Sequence, residues 1–223
     1  MISTATKIHT STLQFPEIEC HPSDAHKMRG YFGNLFKEHS SILHNHFEDG
    51  SSMHRYPLVQ YKVVRRVPTL VGLGEGSKLL IDLFLDIKEL NLGGEVIPIL
   101  HKNFESNESE IGVSTRLINY RFETLWMALN QKNHREFIAL GNDAQQEKLR
   151  RILVGNILSF YKAFNHRVAE QVMVHVSVKE NSTRFKNQKM IAFQGEFVSN
   201  VLLPDFVGLG KSVARGFGTV RKL

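Results

Sequence analysis

The stretch Leu58–Leu90, LVQYKVVRRVPTLVGLGEGSKLLIDLFLDIKEL, indicates the fold more clearly than any other part of the 223-residue chain. Leu58–Val64 and Thr69–Leu73 are rich in β-branched residues, and they predict two strands joined by a short turn. A glycine-rich turn leads into Ser77–Leu90, where apolar residues recur at helical spacing. The inward-facing residues of this helix are expected to be Leu79, Leu80, Leu83 and Ile87. The pattern therefore predicts a β-hairpin followed by an amphipathic helix.

The flanking sequence extends this hairpin and helix into a β-α-β-β-α-β order. Lys7–Phe15 alternates polar and β-prone residues, as an edge strand does. From Ala25 the apolar residues are three and four positions apart, which predicts a helix that ends near Lys37. Glu95–Lys102 is predicted to be the last strand. This order is that of a ferredoxin-like unit.

The second half of the chain repeats the order less regularly, after a linking stretch predicted at Asn103–His134. Its predicted elements are a short strand at Phe137–Leu140, a helix at Asp143–Phe164, strands at Val172–Val178 and Met190–Val198, and a polar, basic loop at Lys179–Lys189. We therefore predict an α+β protein of tandem ferredoxin-like (RRM-like) units with a C-terminal glycine-rich loop. The expected domains are 1–135, which carries most of the histidines, and 136–223, which carries the glycine-rich loop.

Positive charge and histidine are distributed in opposite ways along the chain. The net charge is +6, and residues 141–223 carry 13 Lys and Arg against 6 Asp and Glu, whereas residues 1–140 carry 15 against 16. Nine of the eleven histidines lie in the first 140 residues. A basic last third favours a polyanionic partner, either nucleic acid or a membrane surface, although an idle basic surface explains the charge equally well.

The single cysteine, Cys20, cannot form an internal disulfide, which fits a reducing compartment. Met1–Thr12 has no apolar core of a signal peptide, and no apolar run approaches the ~20 residues that span a bilayer. These features predict a cytoplasmic protein that does not insert into membranes.

The C-terminus carries the most specific pattern, PDFVGLGKSVARGFGTVR at Pro204–Arg221. Two Gly-x-Gly pairs flank Lys211 and Arg215; glycines let a backbone approach a phosphate and expose its N–H groups, while the cations supply charge. A nucleotide P-loop would need glycine where Asp205 stands, so that interpretation fails. Neither pair completes Gly-x-Gly-x-x-Gly, so a dinucleotide-binding fold has no support.

His44-Asn45-His46 is the strongest candidate for acid–base chemistry. In an extended segment, residues two apart point to the same face about 6.5 Å apart, so two imidazoles could flank one phosphate as base and acid. A metal site completed by His39 or His54 ranks lower, because no carboxylate or cysteine pattern accompanies it. Solvated loop histidines remain an equal alternative. Tyr56 could donate to a phosphate, stack on a base, or simply pack at a strand edge.

Taken together, these residues resemble a known family. The glycine-rich segment is similar to the loop that marks the RAMP superfamily of CRISPR-associated RNA-binding proteins. His44–His46, Tyr56–Lys62 and Val71–Gly76 resemble the CRISPR repeat-RNA-processing endoribonucleases of the type I-B kind. The resemblance covers most of the chain and is least clear at residues 95–135.

The resemblance implies cleavage of CRISPR precursor RNA within the repeat. The ribose 2′-hydroxyl attacks, no metal or other cofactor is needed, and the products carry a 2′,3′-cyclic phosphate and a 5′-hydroxyl. The implied catalytic residues are His44 and His46 as base and acid, Lys37 as a stabilising cation, and Tyr56 as an orienting group, with His39 as an alternative histidine.

The expected RNA-binding residues are Gly208, Gly210, Lys211, Arg215, Gly216, Gly218, Lys186 and Lys189. Repeat RNA is the expected partner, and subunits of a CRISPR interference complex and a second copy of the chain are further candidates. The alternative function is that of a non-catalytic RAMP subunit that binds RNA within a guide complex; paired histidines favour the enzyme.

Overall fold

The computed structural model describes residues 5–35, 56–185 and 188–223, without the side chains of 131, 132, 184, 185, 188 and 189. The chain forms two compact units. The N-terminal unit comprises Lys7–Ser109 and Val213–Gly216. The C-terminal unit comprises Glu110–Ser212 and Phe217–Leu223, together with the chain up to Thr6. The change from one unit to the other falls at Ser109 and Glu110, whereas the sequence pattern predicts it between 135 and 136.

The elements up to this change follow the predicted order, with two short strands added before the last one. They are β1 (Thr6–Gln14), a 3₁₀ turn (Pro22–Asp24), α1 (Ala25–Leu35), β2 (Val59–Val64), β3 (Val67–Leu73), α2 (Glu75–Leu83), β4 (Glu89–Asn91), β5 (Val96–Pro98) and β6 (Asn103–Phe122). The N-terminal sheet has the strand order β2-β3-β1-β6, and β1 and β2 both pair antiparallel with β3. The ferredoxin-like order of sheet and helices is confirmed.

The fourth strand of this sheet differs from the prediction. Glu95–Lys102 was expected to supply it, but Val96–Pro98 pairs only with Glu89–Asn91 in a separate two-stranded sheet. Asn103–Phe122, predicted to be a linker, is instead the 20-residue strand β6, so the linker prediction is wrong. Many of its residues are polar and exposed. Apolar and polar residues do not alternate where neither face of a strand is fully buried, so the sequence pattern does not indicate this strand.

The helices of the N-terminal unit share one core with the sheet. Met28 and Phe32 of α1 and Leu80 and Leu83 of α2 pack in the same buried cluster as Leu13 of β1. The remaining members include Phe15, Val59, Tyr61, Val63, Leu70 and Ile87. Burial of side chains of this size contributes about 1.5–3 kcal/mol each relative to exposure. Of the inward positions predicted for the second helix, Leu80 and Leu83 are buried and Leu79 is partly buried. Ile87 is buried beyond the end of α2 at Leu83, so the predicted end of this helix at Leu90 is wrong.

Two glycines allow α2 to begin close to the hairpin of β2 and β3. A Cβ at Gly72 would lie 2.5 Å from the carbonyl oxygen of Gly76, and a Cβ at Gly76 would collide with the carbonyl oxygen of Leu58. Any larger residue would push the helix off the strands. The glycines of the turn at Gly72–Gly76 therefore allow α2 to pack closely against β2 and β3.

The C-terminal unit contains α3 (Gln131–Ile138), α4 (Asn142–Lys162), β7 (Val174–Phe185), β8 (Gln188–Leu202) and β9 (Val220–Lys222). Its sheet has the order β6-β8-β7, with β9 paired to the end of β6, and every pairing is antiparallel. The short strand predicted at Phe137–Leu140 is wrong, because Phe137 lies in α3, whose first turn is capped by the Asn130 side chain. The second half of β6 takes the place of that strand.

The hairpin of β7 and β8 is longer than predicted. Its register runs from Val174 opposite Ser199 to Phe185 opposite Gln188, so most of the predicted loop at Lys179–Lys189 is paired strand. Both strands extend into an exposed part of the hairpin and contain many polar residues there, so the sequence pattern did not predict this part as strand. Helix α4 was anticipated more accurately: Leu149, Leu153, Ile157 and Phe160 are all buried on one face.

Candidate nucleic-acid interface

The predicted site residues divide into those that the structure describes and those that lie outside the described residues. Lys37, His39, His44, His46 and Lys186 fall outside them, and Lys189 is described only as a backbone position in β8. Tyr56 and the whole glycine-rich segment at Pro204–Arg221 are described. The candidate interface therefore comprises the glycine-rich segment and the elements that hold it.

In the C-terminal unit the glycines of this segment serve close packing. The N–H of Gly218 donates to the carbonyl of Leu125 at 2.8 Å, and its own carbonyl accepts from Leu209 at 2.8 Å. Gly210 has a φ of +97°, and a Cβ there would lie 2.8 Å from the Trp126 indole nitrogen. Only glycine adopts such backbone without strain in so little space. The packing accounts for Gly210 and Gly218, and a phosphate contact at either remains a prediction.

In the N-terminal unit the same segment adds to the edge of the sheet. Arg215 forms a parallel bridge with Tyr61 of β2, which is the terminal strand of this unit's sheet order. The next residue, Gly216, has a φ of +90°, and a Cβ there would lie 2.8 Å from the Cβ of Ala25 on α1. The N–H of Gly216 donates to Val213 at 3.4 Å. The segment therefore passes closely over the start of α1.

A partly buried arginine on α1 lies near this edge. Arg29 is one helical turn after Ala25, so the two residues share a face of the helix. Burial lowers the pKa of Arg29, and the charge of Arg215 lowers it further. Both guanidinium groups are therefore held in the same part of the N-terminal unit.

Tyr61 of β2 is completely buried. Its ring stacks on Phe32 with centroids 5.9 Å apart, and its hydroxyl is buried without a hydrogen-bond partner in the part of the chain that the structure describes. Burial raises the pKa of this phenol, and the charge of Arg29 acts in the opposite direction. Tyr61 is thus part of the core between β2 and α1.

Lys62, the next residue of β2, is completely buried. Burial lowers the pKa of its ammonium group to about 7, because a charged group loses its hydration inside the protein. The Cα of Lys62 lies 3.8 Å from the position of a Cβ on Gly216, so the glycine-rich segment also covers this residue. Because successive residues of a strand point to opposite faces, the Lys62 side chain lies on the other face of β2 from the Tyr61 ring.

Tyr56 lies just before β2 and is partly buried. Its hydroxyl oxygen accepts a hydrogen bond of 2.9 Å from the side-chain amide of Gln60, and the same amide donates to the Pro57 carbonyl at 3.1 Å. Gln60 is itself buried. The phenol is thus held in one position, as an orienting group needs to be.

Three cations of the C-terminal unit are either exposed or paired with an acidic side chain. Lys211 is exposed, and its backbone N–H donates to Met127 at 3.1 Å. Arg150 and Arg151 on α4 both bind Glu147, at 2.6 and 2.7 Å, and these hydrogen bonds lower the pKa of Glu147 to about 2. The two arginines are therefore partly neutralised within their own helix, which agrees with ordinary solvated charge.

Sequence reasoning missed the burial of Arg29 and Lys62. Arg29 has a detectable signal, since it stands between Ala25 and Phe32 on the face that α1 turns inward. Lys62 stands in a strand whose six residues are all buried, but its sequence gives no sign of this. Among the described residues, no three His, Cys, Asp or Glu side chains come together as metal ligands, and no helix is long and apolar enough to cross a membrane.

Comparison with known proteins identifies the class first. A crystal structure of Cas6b superimposes with a TM-score of 0.93 at 33% identity, over 98% of this chain and 100% of that one. A crystal structure of the CRISPR RNA processing endoribonuclease Cas6b superimposes with a TM-score of 0.80 at 30% identity, over 98% and 100%. The fold is thus the tandem ferredoxin-like fold of Cas6 proteins.

The family models then place the chain more narrowly. Residues 6–110 match the Cas6b N-terminal domain, and residues 112–223 match the Cas6b C-terminal domain. The chain belongs to the Cas6b family. An uncharacterised protein of Methanocaldococcus jannaschii is 39% identical over 140 residues, which is 62% of this chain and 95% of that protein.

Proposed function

We propose that this protein is an endoribonuclease that cleaves CRISPR precursor RNA within the repeat without a metal ion. The observation that carries the proposal is the match, over 98% of the chain at 30% identity, to a structure named as a CRISPR RNA processing endoribonuclease. The Cas6b domains matched at residues 6–110 and 112–223 support it. A single cysteine that cannot form an internal disulfide suits action in the cytoplasm.

The proposed reaction is an intramolecular displacement at phosphorus. One histidine of the pair His44 and His46 removes the proton of the ribose 2′-hydroxyl, and the 2′-oxygen attacks the adjacent phosphorus. The bond from phosphorus to the 5′-oxygen breaks, and the second histidine protonates that oxygen. A 2′,3′-cyclic phosphate and a 5′-hydroxyl result. Histidine suits both roles because its pKa lies near neutrality.

Two further side chains complete the proposed centre. Lys37 stabilises the added negative charge of the phosphorane, as preorganised cations do in other transition states. Tyr56 orients the reacting groups, and its hydrogen bond from Gln60 supports that assignment. The glycine-rich segment, with Lys211 and Arg215 and the glycines around them, binds the RNA backbone, and Lys186 and Lys189 add charge at the β7–β8 hairpin.

The experiment is a single-turnover cleavage assay on the cognate repeat RNA in excess EDTA. We expect the same rate with and without the chelator, because the proton transfers need only protein side chains. Loss of cleavage in EDTA that Mg²⁺ or Mn²⁺ restores would contradict metal independence. Tight binding without cleavage under either condition would favour the non-catalytic RAMP subunit instead.

A further inference from the structure

Gln60 is a polar residue in β2, a strand whose six residues are all buried. The residue is completely excluded from solvent. Burying a side-chain amide is unfavourable unless its polar atoms form hydrogen bonds. The amide nitrogen of Gln60 donates to the hydroxyl oxygen of Tyr56 at 2.9 Å and to the carbonyl of Pro57 at 3.1 Å. These two hydrogen bonds therefore offset the burial of a glutamine at this position.

The Pro57 carbonyl determines which way the Gln60 amide is turned. A carbonyl oxygen only accepts hydrogen bonds, so the amide atom that faces it must be the nitrogen and not the oxygen. The same nitrogen faces the Tyr56 hydroxyl. The Tyr56 oxygen is therefore the acceptor in this pair, and its own proton points away from Gln60.

The backbone around this pair is held in place from several sides. The ring of Pro57 fixes its own φ and restricts the residue before it, Tyr56, to extended conformations. The carbonyl of Leu58 accepts from the N–H of Leu73 at 2.9 Å, and Gln60 lies within the ladder of β2 and β3. The side-chain torsions of Tyr56 remain to be fixed, and the hydrogen bond from Gln60 restricts them.

We propose that Gln60 is a positioning residue that fixes the Tyr56 hydroxyl as a hydrogen-bond donor to a non-bridging oxygen of the scissile phosphate. The place of Tyr56 at that phosphate rests on the proposed function, whereas the direction of its hydrogen bond with Gln60 rests on the geometry. Non-bridging phosphate oxygens only accept hydrogen bonds and gain charge in the phosphorane, so a donor suits them. An amide that donates to the phenol oxygen also strengthens its O–H as a donor.

The first test measures the single-turnover rate at saturating protein and, separately, the affinity for a repeat RNA with 2′-deoxyribose at the scissile position. Gln60→Met keeps an unbranched side chain of similar length and removes both donors. It should lower the rate by about threefold to tenfold, as loss of one hydrogen bond does, and leave the affinity unchanged. Tyr56→Phe should lower the rate at least as much.

The double variant distinguishes positioning from a structural role. If Gln60 acts through the Tyr56 hydroxyl, Gln60→Met should cause no further loss of rate in a protein that already carries Tyr56→Phe. A purely structural role would lower the rate by the same factor in both backgrounds. Gln60→Glu supplies a second variant where Gln60→Met has a low thermal unfolding midpoint; its carboxylate accepts instead of donating, so the rate should fall at least as far.

Phosphorothioate RNAs identify the oxygen to which Tyr56 donates. Sulfur replaces one non-bridging oxygen of the scissile phosphate at a time, and it accepts hydrogen bonds more weakly than oxygen does. For one of the two diastereomers, the wild-type protein should be slowed more than Tyr56→Phe and Gln60→Met are. Equal effects of sulfur in all three proteins, for both diastereomers, would overturn the donor role. The wild type and Tyr56→Phe suffice for this arm.

Gln145→Met is the matched control, because Gln145 is a partly buried glutamine of the C-terminal unit whose amide donates to the Phe137 carbonyl at 3.0 Å. It should leave the cleavage rate unchanged. A wild-type rate in Gln60→Met beside a slow Tyr56→Phe would overturn the role of Gln60 alone. Failure of the wild-type protein to cut unmodified repeat RNA would overturn the proposed function, and this role with it.

Discussion

The N-terminal unit holds three cations that are partly or fully buried, whereas the C-terminal unit has one cation on the surface of the glycine-rich segment and two that are paired with a carboxylate on α4. Lys62 is fully buried, and Arg29 and Arg215 are partly so. Lys211 is exposed, and the arginines of α4 share one glutamate. Exposed charges are screened by salt over about 8–10 Å, while buried charges are screened much less. Net charge therefore favours a polyanionic partner, whereas burial determines how strongly salt screens each cation.

The largest expected effect separates chemistry from binding. His44→Ala and His46→Ala should each lower the single-turnover cleavage rate by about 10²–10⁴, the contribution of one general acid or base. Repeat affinity should change little, because proton transfer occurs only in the transition state. If both act on one reaction, the double variant should lose far less than the product of the single losses.

Arg150→Gln is the matched control from the C-terminal unit and should leave the rate at saturating protein unchanged. Normal cleavage by both histidine variants would move the base to His39 or remove the enzyme assignment. A rate loss in Arg150→Gln as large as that in the histidine variants would contradict the separation of the two units by role.

The next effect compares the two cations of the glycine-rich segment. Arg215→Gln should weaken repeat RNA binding by about tenfold or more, and Lys211→Gln by a smaller factor, because the partly buried charge is less screened. Combining the two changes should flatten the salt dependence, by about 0.7 in log–log slope for each phosphate that the protein no longer binds. Binding titrations at several salt concentrations measure both. An unchanged slope in the double variant would make the segment purely structural.

A smaller effect concerns stability. Replacing Lys62 by Met removes a buried amine whose pKa is lowered to about 7 and keeps the volume of the side chain. We expect Lys62→Met to remove the pH-dependent contribution of this amine to the free energy of unfolding, because the variant has no proton to release here on folding. Urea unfolding compares the two proteins.

The pH dependence of the free energy of unfolding tests this prediction. Between pH 7 and 10.5 the unfolded wild-type chain still holds the Lys62 proton that the folded protein has released, so wild-type stability rises with pH in this window. Below pH 7 both states hold the proton and the contribution is constant. The free energy of unfolding of Lys62→Met relative to the wild type should therefore be highest below pH 7 and fall towards pH 10. A gap that stays constant from pH 6 to 10 would show that burial does not lower this pKa.

The smallest effect is expected at Tyr61. Its hydroxyl is buried without a hydrogen-bond partner among the described residues, so Tyr61→Phe removes a desolvated polar group and keeps the stacking on Phe32. Stability should be unchanged or higher by up to about 1 kcal/mol. RNA affinity should also be retained, since the hydroxyl is buried and the ring keeps its position. A clear loss of stability would mean that the hydroxyl has a partner.

Much of the fold could be predicted because its signals are local. Helix α4 and the hairpin of β2 and β3 have strong periodicity or β-branched composition, and the structure confirms them. Strand β6 could not be recognised, because Asn103–Glu110 is almost entirely exposed and shows no alternation of burial. The strand prediction at Phe137 failed because a helix of only eight residues gives too few positions to establish a period.

Residues of the candidate site could be predicted only where they belong to a recognisable sequence motif. The glycines and cations near the C-terminus form a recognisable pattern, and the histidine pair has a distinct spacing. Arg29 has neither, since one arginine on a helix is ordinarily solvated charge. Its position near the glycine-rich segment depends on the bridge between Arg215 and Tyr61. Such long-range contacts are set by tertiary packing and cannot be read from local spacing.

The most direct test of the central claim is cleavage of two otherwise identical repeat RNAs. One contains ribose throughout, and the other has 2′-deoxyribose on the 5′ side of the scissile phosphate. We expect the first to be cut to a product ending in a 2′,3′-cyclic phosphate, and the second to bind with equal affinity and stay intact, because its nucleophile has been removed. Cleavage of the deoxy RNA, or a product with a 3′-hydroxyl, would mean attack by water and would contradict the proposed mechanism.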